Sequence, residues 1–255
     1  MIDLHSHILP GLDDGAATME DSINMAKAAI SEGITTIVAT PHHKNGRYVN
    51  RKVEIEAAVD EVNQQFQKNG IDLQVLPGQE CRIFGELMED YHESEILTLN
   101  NSKYLFIEFP SASVPRYAKE LLYSIQLQGI VPIIVHPERN QELMEHPDKL
   151  YELVKDGALT QVTAASVCGK FGKKIQSFTA EIIEANLTHF VASDAHNIIN
   201  RNFHMKTAYD TIQEKYGEEM VYFYMENSQL VLENKHVMVD QPQKIHRRKK
   251  LFGLF

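Results

Sequence analysis

The chain has 255 residues, of which 43% are apolar and 24% charged, and its formal net charge at pH 7 is −10. This length suits one large α/β domain or two small ones, and the acidic balance argues against a broad nucleic-acid surface, which needs clustered positive charge. No apolar run approaches the ~18 residues of a membrane-spanning helix, and the N-terminus lacks the basic and apolar regions of a secretory signal. We therefore expect a cytoplasmic protein.

Short apolar runs alternate along the chain with longer helical patterns. The runs are continuously apolar, as in strands buried on both faces of a parallel sheet. After an N-terminal strand carrying two histidines, the predicted strands cover 34–40, 73–76, 104–107, 131–135, 160–163 and 189–193. The first predicted helix is capped by Thr18, with Asp21 completing a capping box, and ends at Gly33. The later predicted helices cover 53–68, 116–128, 147–155, 178–186 and 204–215.

This alternation, without a break in composition, predicts a single parallel α/β domain. The His, Asp and Glu residues that stand out follow the ends of strands, and in a barrel the carboxyl ends of the strands form the active-site face. A doubly wound open sheet is the alternative. Such a sheet usually gathers its site at one switch point, whereas these residues are spread over many strand ends.

The most informative motif is Asp3-Leu4-His5-Ser6-His7 at the start of the chain. Side chains at i and i+2 of a strand share one face, so both imidazoles can reach one point. Imidazole and carboxylate ligands without thiolate indicate manganese, zinc or iron. A carboxylate can bridge two metals, and Glu80 is the expected bridge. The predicted metal ligands are His5, His7, Asp14, His42, Glu80, Glu108, His136, Asp194 and His196.

Two arginines lie on loops at the same predicted face, Arg139 three residues after His136 and Arg201 five residues after His196. Arginine suits bidentate contact to phosphate, whereas the alternative for each is a surface ion pair of little energetic weight. Aromatic residues that follow strand ends are candidates either to flank an aromatic substrate ring or to cover the core. They are Tyr48, Phe84, Phe109 and Tyr117.

Neither cysteine suits the role of a phosphatase nucleophile. Cys81 and Cys168 form no Cys-x-x-Cys pair, and the positions six residues on hold Leu87 and Lys174 in place of the arginine of a C-x5-R phosphate loop. We interpret both as small buried apolar residues in a reducing compartment.

Together these motifs resemble the PHP (polymerase and histidinol phosphatase) superfamily. The segments 9–15 and 136–140 further resemble the manganese-dependent protein-tyrosine phosphatases of Gram-positive exopolysaccharide and capsule clusters, of YwqE and CpsB type. The segments that carry the superfamily resemblance are Asp3-Leu4-His5-Ser6-His7, Thr40-Pro41-His42-His43, the region of Glu80, His136-Pro137-Glu138-Arg139 and Ser193-Asp194-Ala195-His196.

The resemblance implies a distorted (β/α)7 TIM-like barrel with a trinuclear metal cluster. The expected metal is manganese, and zinc and iron are the alternatives. His43 is expected to point away from the metals in a structural or supporting role. The implied metal sites are His5, His7, Glu80 and Asp194; Glu80, Glu108 and His136; and Asp14, His42 and His196.

The implied activity is hydrolysis of phosphotyrosine on a bacterial tyrosine kinase and its targets, with no nucleic-acid partner. A small-molecule phosphomonoesterase of histidinol-phosphatase type is the alternative on the same metals. A nuclease or proofreading domain fits less well with the acidic body, and a scaffold with a degraded site fits less well with nine filled ligand positions.

We expect a phosphatase domain over 1–243 and a basic, hydrophobic tail over 244–255. The tail carries Lys244, Arg247, Arg248, Lys249 and Lys250 without an acid, followed by bulky apolar residues. It could dock on an anionic membrane surface or on a partner kinase, or against an acidic neighbouring subunit. A solvated, frayed terminus is the remaining interpretation.

Overall fold

The computed structural model describes residues 1–246, in which nine strands form two parallel sheets. The strands are β1 (Ile2–Ser6), β2 (Thr36–Ala39), β3 (His42–His43), β4 (Gln74–Pro77), β5 (Glu80–Arg82), β6 (Tyr104–Glu108), β7 (Val131–Val135), β8 (Leu159–Thr163) and β9 (Phe190–Ala192). A three-stranded sheet has the order β1-β2-β4, and a six-stranded sheet has the order β3-β5-β6-β7-β8-β9. This is a mixed α/β domain with parallel sheets.

Helices connect most consecutive strands and pack on the sheets. None of the helices described is long and apolar enough to cross a membrane. The helices are α1 (Met19–Ser31), α2 (Lys52–Lys68), α3 (Leu87–His92), α4 (Ala118–Leu127), α5 (Gln141–Glu145), α6 (Pro147–Lys155), α7 (Ala164–Val167), α8 (Lys173–Glu184), α9 (Met205–Tyr216) and α10 (Glu218–Leu232).

The two sheets adjoin at both of their edges. On one side β3 follows β2 after a two-residue break, β5 follows β4, and the Glu80 amide donates to the Pro41 carbonyl at 3.1 Å. On the other side Ser6 and Ala195 form a parallel bridge, and the Asp194 amide donates to the His5 carbonyl at 2.8 Å. These contacts bring the carboxyl ends of strands from both sheets to one face of the domain.

Strand residues are buried on both faces, as their continuous apolar runs predict. In β6, Leu105 and Ile107 belong to the large core between the sheets and the helices, whereas Phe106 packs into a second core. That second core holds Leu4, Val38 and Phe190 from three other strands. Alternate side chains of one strand therefore fill two separate cores.

Most of the predicted elements are present, and the differences are local. The Thr18–Asp21 capping box is formed, and Gly33 follows α1 with φ +85°. α8 begins at Lys173, so the predicted start at 178 is wrong: its first two residues are exposed lysines, which give no apolar signal. The short strands β3 and β5, the short helices α3, α5 and α7, and the C-terminal helix α10 were not predicted.

Candidate metal centre

The nine predicted ligands lie together where the strands end. His5 is on β1 and His7 is one residue beyond it, so the two imidazoles leave the same strand end with ring centroids 5.4 Å apart. His42 and Glu80 follow the ends of β2 and β4 and begin the short strands β3 and β5, and Glu108 is the last residue of β6. The other members follow β7 and β9 or lie in the loop after β1, and they are His136, Asp194, His196 and Asp14.

Four buried side chains form the tightest group. His5 Nε2 lies 3.4 Å from both Glu80 Oε2 and Asp194 Oδ1, and His7 Nε2 lies 3.3 Å from the same two oxygens. Ligand atoms about 2.1 Å from one metal ion are roughly 3.0 to 3.4 Å apart. The four atoms therefore have the separations of a single coordination sphere.

The hydrogen-bonding state of these atoms tests whether the residues fit a metal. Buried polar atoms in folded proteins nearly always have a hydrogen-bond partner. Here, among residues 1–246, several buried atoms that face the centre have no well-directed partner, although each is close to another ligand. They are His5 Nε2, His7 Nε2, His42 Nδ1, Glu80 Oε2, Glu108 Oε2 and His196 Nε2. Such a set of directed, unpaired lone pairs suits divalent cations.

Two further groups share members with the first. The candidate ligand atoms of His7, Asp14, His42 and His196 lie within 4.8 Å of one another, as do those of His42, Glu80 and Glu108. Glu80 faces different neighbours with its two oxygens, because Oε1 lies 2.7 Å from His136 Nε2 and Oε2 lies 2.9 Å from His42 Nδ1. This is the placement expected of a bridging carboxylate.

The observed groups differ from the predicted grouping in two respects. The predicted third site contained His42 without His7, whereas here His7 joins it and His42 also faces Glu80 and Glu108. His136, predicted to share a site with Glu80 and Glu108, contacts Glu80, but the third observed group contains His42 in its place. His43 points away, as expected, and its Nδ1 lies 2.8 Å from the Asn50 carbonyl.

A second layer of residues orients the histidines, and the sequence reasoning missed it. Asp13 Oδ2 lies 2.6 Å from His7 Nδ1 and accepts from the His42 amide at 3.0 Å. Gln161 Oε1 lies 2.9 Å from His5 Nδ1. Carboxylate and amide partners of this kind fix the tautomer and ring orientation of metal-binding histidines. The only sequence signal was the proximity of Asp13 to Asp14.

Asp3, on β1, supports the same region through its contacts with Ser193. It accepts from the Ser193 amide at 2.9 Å and from the Ser193 hydroxyl at 2.5 Å. Burial raises the pKa of the Asp3 carboxyl to about 6, although these hydrogen bonds oppose the shift. Asp3 therefore ties β1 to the segment that presents Asp194.

Two of the candidate ligands have left-handed backbone conformations. φ is +38° at His136 and +54° at Asp194. Such conformations cost non-glycine residues energy and persist where the surroundings fix them, commonly at functional sites. Here the His136 amide donates to the Gln161 carbonyl at 2.7 Å, and the Asp194 amide donates to His5.

Both predicted arginines converge on Asp194. Arg139 Nη1 lies 2.7 Å from Asp194 Oδ2, and Arg201 Nη2 donates to the same oxygen at 3.0 Å. Asp194 Oδ1 faces His5 and His7 instead. One carboxylate thus joins the histidine cluster to two guanidinium groups. A third arginine, Arg82, was not predicted and lies 3.1 Å from Glu108 Oε2.

Burial and local charge set the protonation states. Burial, assisted by the positive charge of Arg139, lowers the pKa of His136 to about 4. Burial and the neighbouring His7 also lower the pKa of His196 to about 4. Burial opposes ionisation of Asp194, but Arg139 and the histidines hold its pKa well below the usual range. The neutral His136 and His196 and the ionised Asp194 are therefore in the forms that bind metals. Burial opposes protonation of His7 and His42 as well, but the neighbouring carboxylates Asp13 and Glu80 raise the pKa of these two imidazoles.

The centre opens into a cavity of about 360 Å³ lined by His42, Glu108, His136 and both predicted arginines. A larger groove of about 760 Å³ lies between α4 and α6 and contains none of the predicted ligands. The arginine side chains are 22% and 31% exposed, so solvent reaches both guanidinium groups.

The predicted aromatic residues have different surroundings. Phe109 lines the cavity but is almost wholly buried, and Tyr48 stacks on the His42 ring with centroids 6.3 Å apart. Phe84 lies beneath the Lys44 ammonium. Tyr117 donates to the Ile83 carbonyl at 3.3 Å. Phe171, which the sequence reasoning missed, also lines the cavity.

The cysteines do not form part of this site. Cys81 is fully buried and Cys168 partly so, and both are free thiols. Burial raises the pKa of the Cys81 thiol and raises that of Cys168 to about 11. A reactive thiolate needs the opposite shift.

The fold and the site together define a parallel α/β protein with a buried histidine–carboxylate cluster beside an arginine-lined cavity. Residues 1–233 match the family of capsular polysaccharide synthesis proteins CpsB/CapC. The chain belongs to this family.

Two curated relatives match over their whole length. The chain is 50% identical over 255 residues to tyrosine-protein phosphatase YwqE of Bacillus subtilis strain 168, with 100% of both chains covered. It is 41% identical over 256 residues to the putative tyrosine-protein phosphatase CapC of Staphylococcus aureus, again with 100% of both covered.

Solved structures agree with the fold. One comes from work on YwqE of Bacillus subtilis and CpsB of Streptococcus pneumoniae, described as unique metal-dependent tyrosine phosphatases. It superposes with a TM-score of 0.95 at 49% identity and covers 97% of this chain and 100% of its own. An organophosphorus hydrolase from Deinococcus radiodurans shares the fold alone, with a TM-score of 0.57, 14% identity and 91% of each chain covered.

Proposed function

We propose that this protein is a metal-dependent protein-tyrosine phosphatase that acts in the control of capsule or exopolysaccharide synthesis. The observation that carries the proposal is the position of Asp194, which faces the histidine cluster with one oxygen and two arginines with the other. A phosphoryl group needs cations on both sides, and this arrangement offers them. Full-length identity of 50% to a tyrosine phosphatase supports the assignment.

We infer three metal sites, held by the nine ligands predicted from the sequence. His5, His7, Glu80 and Asp194 would hold one ion, and the separations of their atoms support this site most strongly. Manganese is the proposed metal, and zinc and iron accept similar ligands. When bound, divalent ions supply an activated water nucleophile and offset negative charge on the phosphoryl group. The other two sites would be formed by Glu80, Glu108 and His136, and by Asp14, His42 and His196.

The roles of the two arginines follow from their contacts. Arg139 and Arg201 each contact Asp194 with one terminal nitrogen of the guanidinium group, and their other N–H donors remain available for the phosphoryl oxygens. Because the Asp194 carboxylate anchors one nitrogen of each guanidinium group, less side-chain freedom is lost when phosphate binds. The two residues bind and orient the substrate. Tyrosine is a comparatively good leaving group, with a pKa of ~10, so the reaction demands less of a proton donor.

Several finer features belong to the same proposal. The contacts at both edges of the two sheets support a closed, distorted (β/α)7 barrel. We propose a phosphatase domain over 1–243, a cytoplasmic location, and a bacterial tyrosine kinase and its targets as substrates. We propose further that the segment 244–255 docks on the membrane surface or on the kinase. Of that segment, residues 247–255 lie outside the described part of the chain.

The tail proposal has a direct test. Deletion of residues 247–255 should leave hydrolysis of a small aryl phosphate unchanged and slow the dephosphorylation of a membrane-embedded kinase. The deletion spares Ile245, which packs against the core, so the contacts among residues 1–246 are kept. Equal rates for both proteins on the kinase would remove the tail from the account.

The activity itself is tested with two substrates in parallel. The purified protein is given a phosphotyrosine peptide or histidinol phosphate, each with manganese and with a chelator. We expect manganese-dependent release of phosphate from the peptide and little from histidinol phosphate. The reverse preference would contradict the tyrosine-phosphatase assignment, and chelator-resistant turnover would contradict the role of metals.

A further inference from the structure

Phe171 occupies a tightly built turn between α7 and α8. Gly169 and Gly172 flank it with φ +74° and +92°, conformations that favour glycine. The Gly169 amide donates to the Ser166 carbonyl at 3.1 Å, and the Gly172 amide donates to the Gly169 carbonyl at 3.0 Å. Backbone hydrogen bonds therefore hold the turn that carries the Phe171 ring.

The same turn is tied to the segment that presents Arg139. The Ser166 hydroxyl, at the end of α7, donates to Glu138 Oε1 at 2.7 Å, and the Thr163 amide donates to the same oxygen at 2.9 Å. Glu138 is fully buried and directly precedes Arg139. The Arg139 guanidinium carbon lies 5.6 Å from the centroid of the Phe171 ring. The segments that carry the Phe171 ring and the Arg139 guanidinium are thus hydrogen-bonded to each other through Glu138.

Phe171 also faces the space that a substrate would fill. It lines the cavity of about 360 Å³ with Arg139, Arg201 and His136, and its side chain is partly exposed. Phe109 lines the same cavity, but its 4% exposure leaves it mainly in the core. Among the described residues that line this cavity, Phe171 is the phenylalanine that offers an accessible face.

We propose that Phe171 is the wall against which the aromatic ring of the substrate packs, so that the site selects aryl phosphate monoesters. This inference rests on the proposed phosphatase function and adds the determinant of its tyrosine preference. In an aryl phosphate a single oxygen joins the phosphorus to the ring. A phosphoryl group held by Arg139 therefore places that ring beside the neighbour of Arg139, which is Phe171.

The same geometry explains why phosphoserine would be a poor fit. In phosphoserine, a methylene group and then the peptide backbone follow the ester oxygen. Neither can stack on a phenyl ring or meet it edge to face, as a second aromatic ring does. The contact made by Phe171 is consequently available to phosphotyrosine alone among the three phosphorylated hydroxyl side chains.

Steady-state kinetics of Phe171→Leu in the manganese-loaded protein tests the proposal. The substrates are a phosphotyrosine peptide and acetyl phosphate, whose leaving group is also good but not aromatic. We expect the KM for the peptide to rise about fivefold, the effect of losing one aromatic pair, with kcat nearly unchanged. Acetyl phosphate kinetics and the inhibition constant of inorganic phosphate should stay within about twofold, since Arg139 keeps its bond to Asp194.

Two further variants make the result specific. Phe171→Tyr keeps the ring and should restore the low KM for the peptide. Phe223→Leu makes the same change at a partly buried phenylalanine on α10, outside the cavity, and should behave as wild type. An unchanged peptide KM in Phe171→Leu would overturn the proposal. A parallel loss on both substrates and on phosphate inhibition would also overturn it, because Phe171 would then act only by positioning Arg139.

The outcome also separates this inference from the proposed function. Wild-type protein that hydrolyses the peptide, together with an unaffected Phe171→Leu variant, defeats the inference alone. Wild-type protein that hydrolyses acetyl phosphate but not the peptide defeats both.

Discussion

Replacing Asp13 by asparagine should weaken metal binding without removing a proposed ligand. The Asp13 carboxylate makes three contacts: 2.6 Å to His7 Nδ1, 3.0 Å to the His42 amide and 2.9 Å to the Gly15 amide. The asparagine side chain would keep one acceptor oxygen of similar position but lose the negative charge and the second oxygen. The imidazole of His7 would then be less firmly oriented and less basic.

The size of the effect follows from the type of bond that is lost. A hydrogen bond to a charged group contributes about 1.5–3 kcal/mol. Loss of a supporting carboxylate typically lowers metal affinity about 10- to 100-fold, which corresponds to roughly 1.4–2.7 kcal/mol. We therefore expect Asp13→Asn to raise the Kd for Mn²⁺ at the site that contains His7 by about 10- to 100-fold.

Isothermal titration of the chelator-treated protein with Mn²⁺ measures this change directly. Asp60→Asn is the matched control, since Asp60 is exposed on α2 and the same atoms are exchanged. Phosphatase activity of Asp13→Asn should recover as Mn²⁺ is raised to saturation, because the ligands themselves remain. A Kd within about twofold of wild type, or an equal change in Asp60→Asn, would refute the role assigned to Asp13.

Three other predictions follow from the same structure. Arg201→Ala should keep the manganese content of wild type but lower kcat/KM roughly tenfold or more, as expected from the loss of one charge-assisted hydrogen bond. An unchanged kcat/KM would mean that Arg201 only forms a surface ion pair. A Cβ at Gly15 would lie 2.1 Å from the His7 carbonyl oxygen, so Gly15→Ala should destabilise the fold by about 1–3 kcal/mol and weaken manganese binding. Gly85→Ala is the control: the space around Gly85 is open, so this variant should have neither effect. Burial lowers the pKa of His189 to about 4, so the unfolded chain binds the extra proton below pH ~6.5 and stability falls with the pH. Between pH 7 and 5 this residue should account for about 2 kcal/mol of the loss in unfolding free energy. Urea titrations at pH 7 and pH 5 should therefore show that the unfolding free energy of His189→Asn depends less on pH than that of wild type. An equal pH dependence in the two proteins would contradict this prediction.

The strand ends and their chemistry were readable because both depend on local patterns. An apolar run followed by a single His, Asp or Glu predicts a buried strand with a polar end, and β6 with Glu108 and β7 with His136 follow this rule. The sequence could not show which ligand atoms face one another. That depends on the relative placement of distant strands, so the sharing of His7 and His42 between groups emerged only from the fold.

Among the elements that were not predicted, α10, β3 and β5 lack a clear apolar period. α10 buries Asn227 and Ser228 beside Tyr224 and Val231, so two of its four buried positions read as solvent-facing in the sequence. Asn227 is buried because its amide donates to the carbonyls of His189 and Met238. β3 and β5 have two and three residues, too few for a periodic signal. These segments depend on hydrogen bonds to distant parts of the chain, and a local sequence pattern gives no information about such bonds.

The central claim is that the buried cluster holds metal ions, and anomalous scattering from crystals of the manganese-loaded protein tests it most directly. The account predicts a manganese peak between His5 Nε2, His7 Nε2, Glu80 Oε2 and Asp194 Oδ1, whose separations are 3.3–3.4 Å. Further peaks should lie beside Asp14 and Glu108. Crystals of active protein with no anomalous peak among these residues would contradict the account.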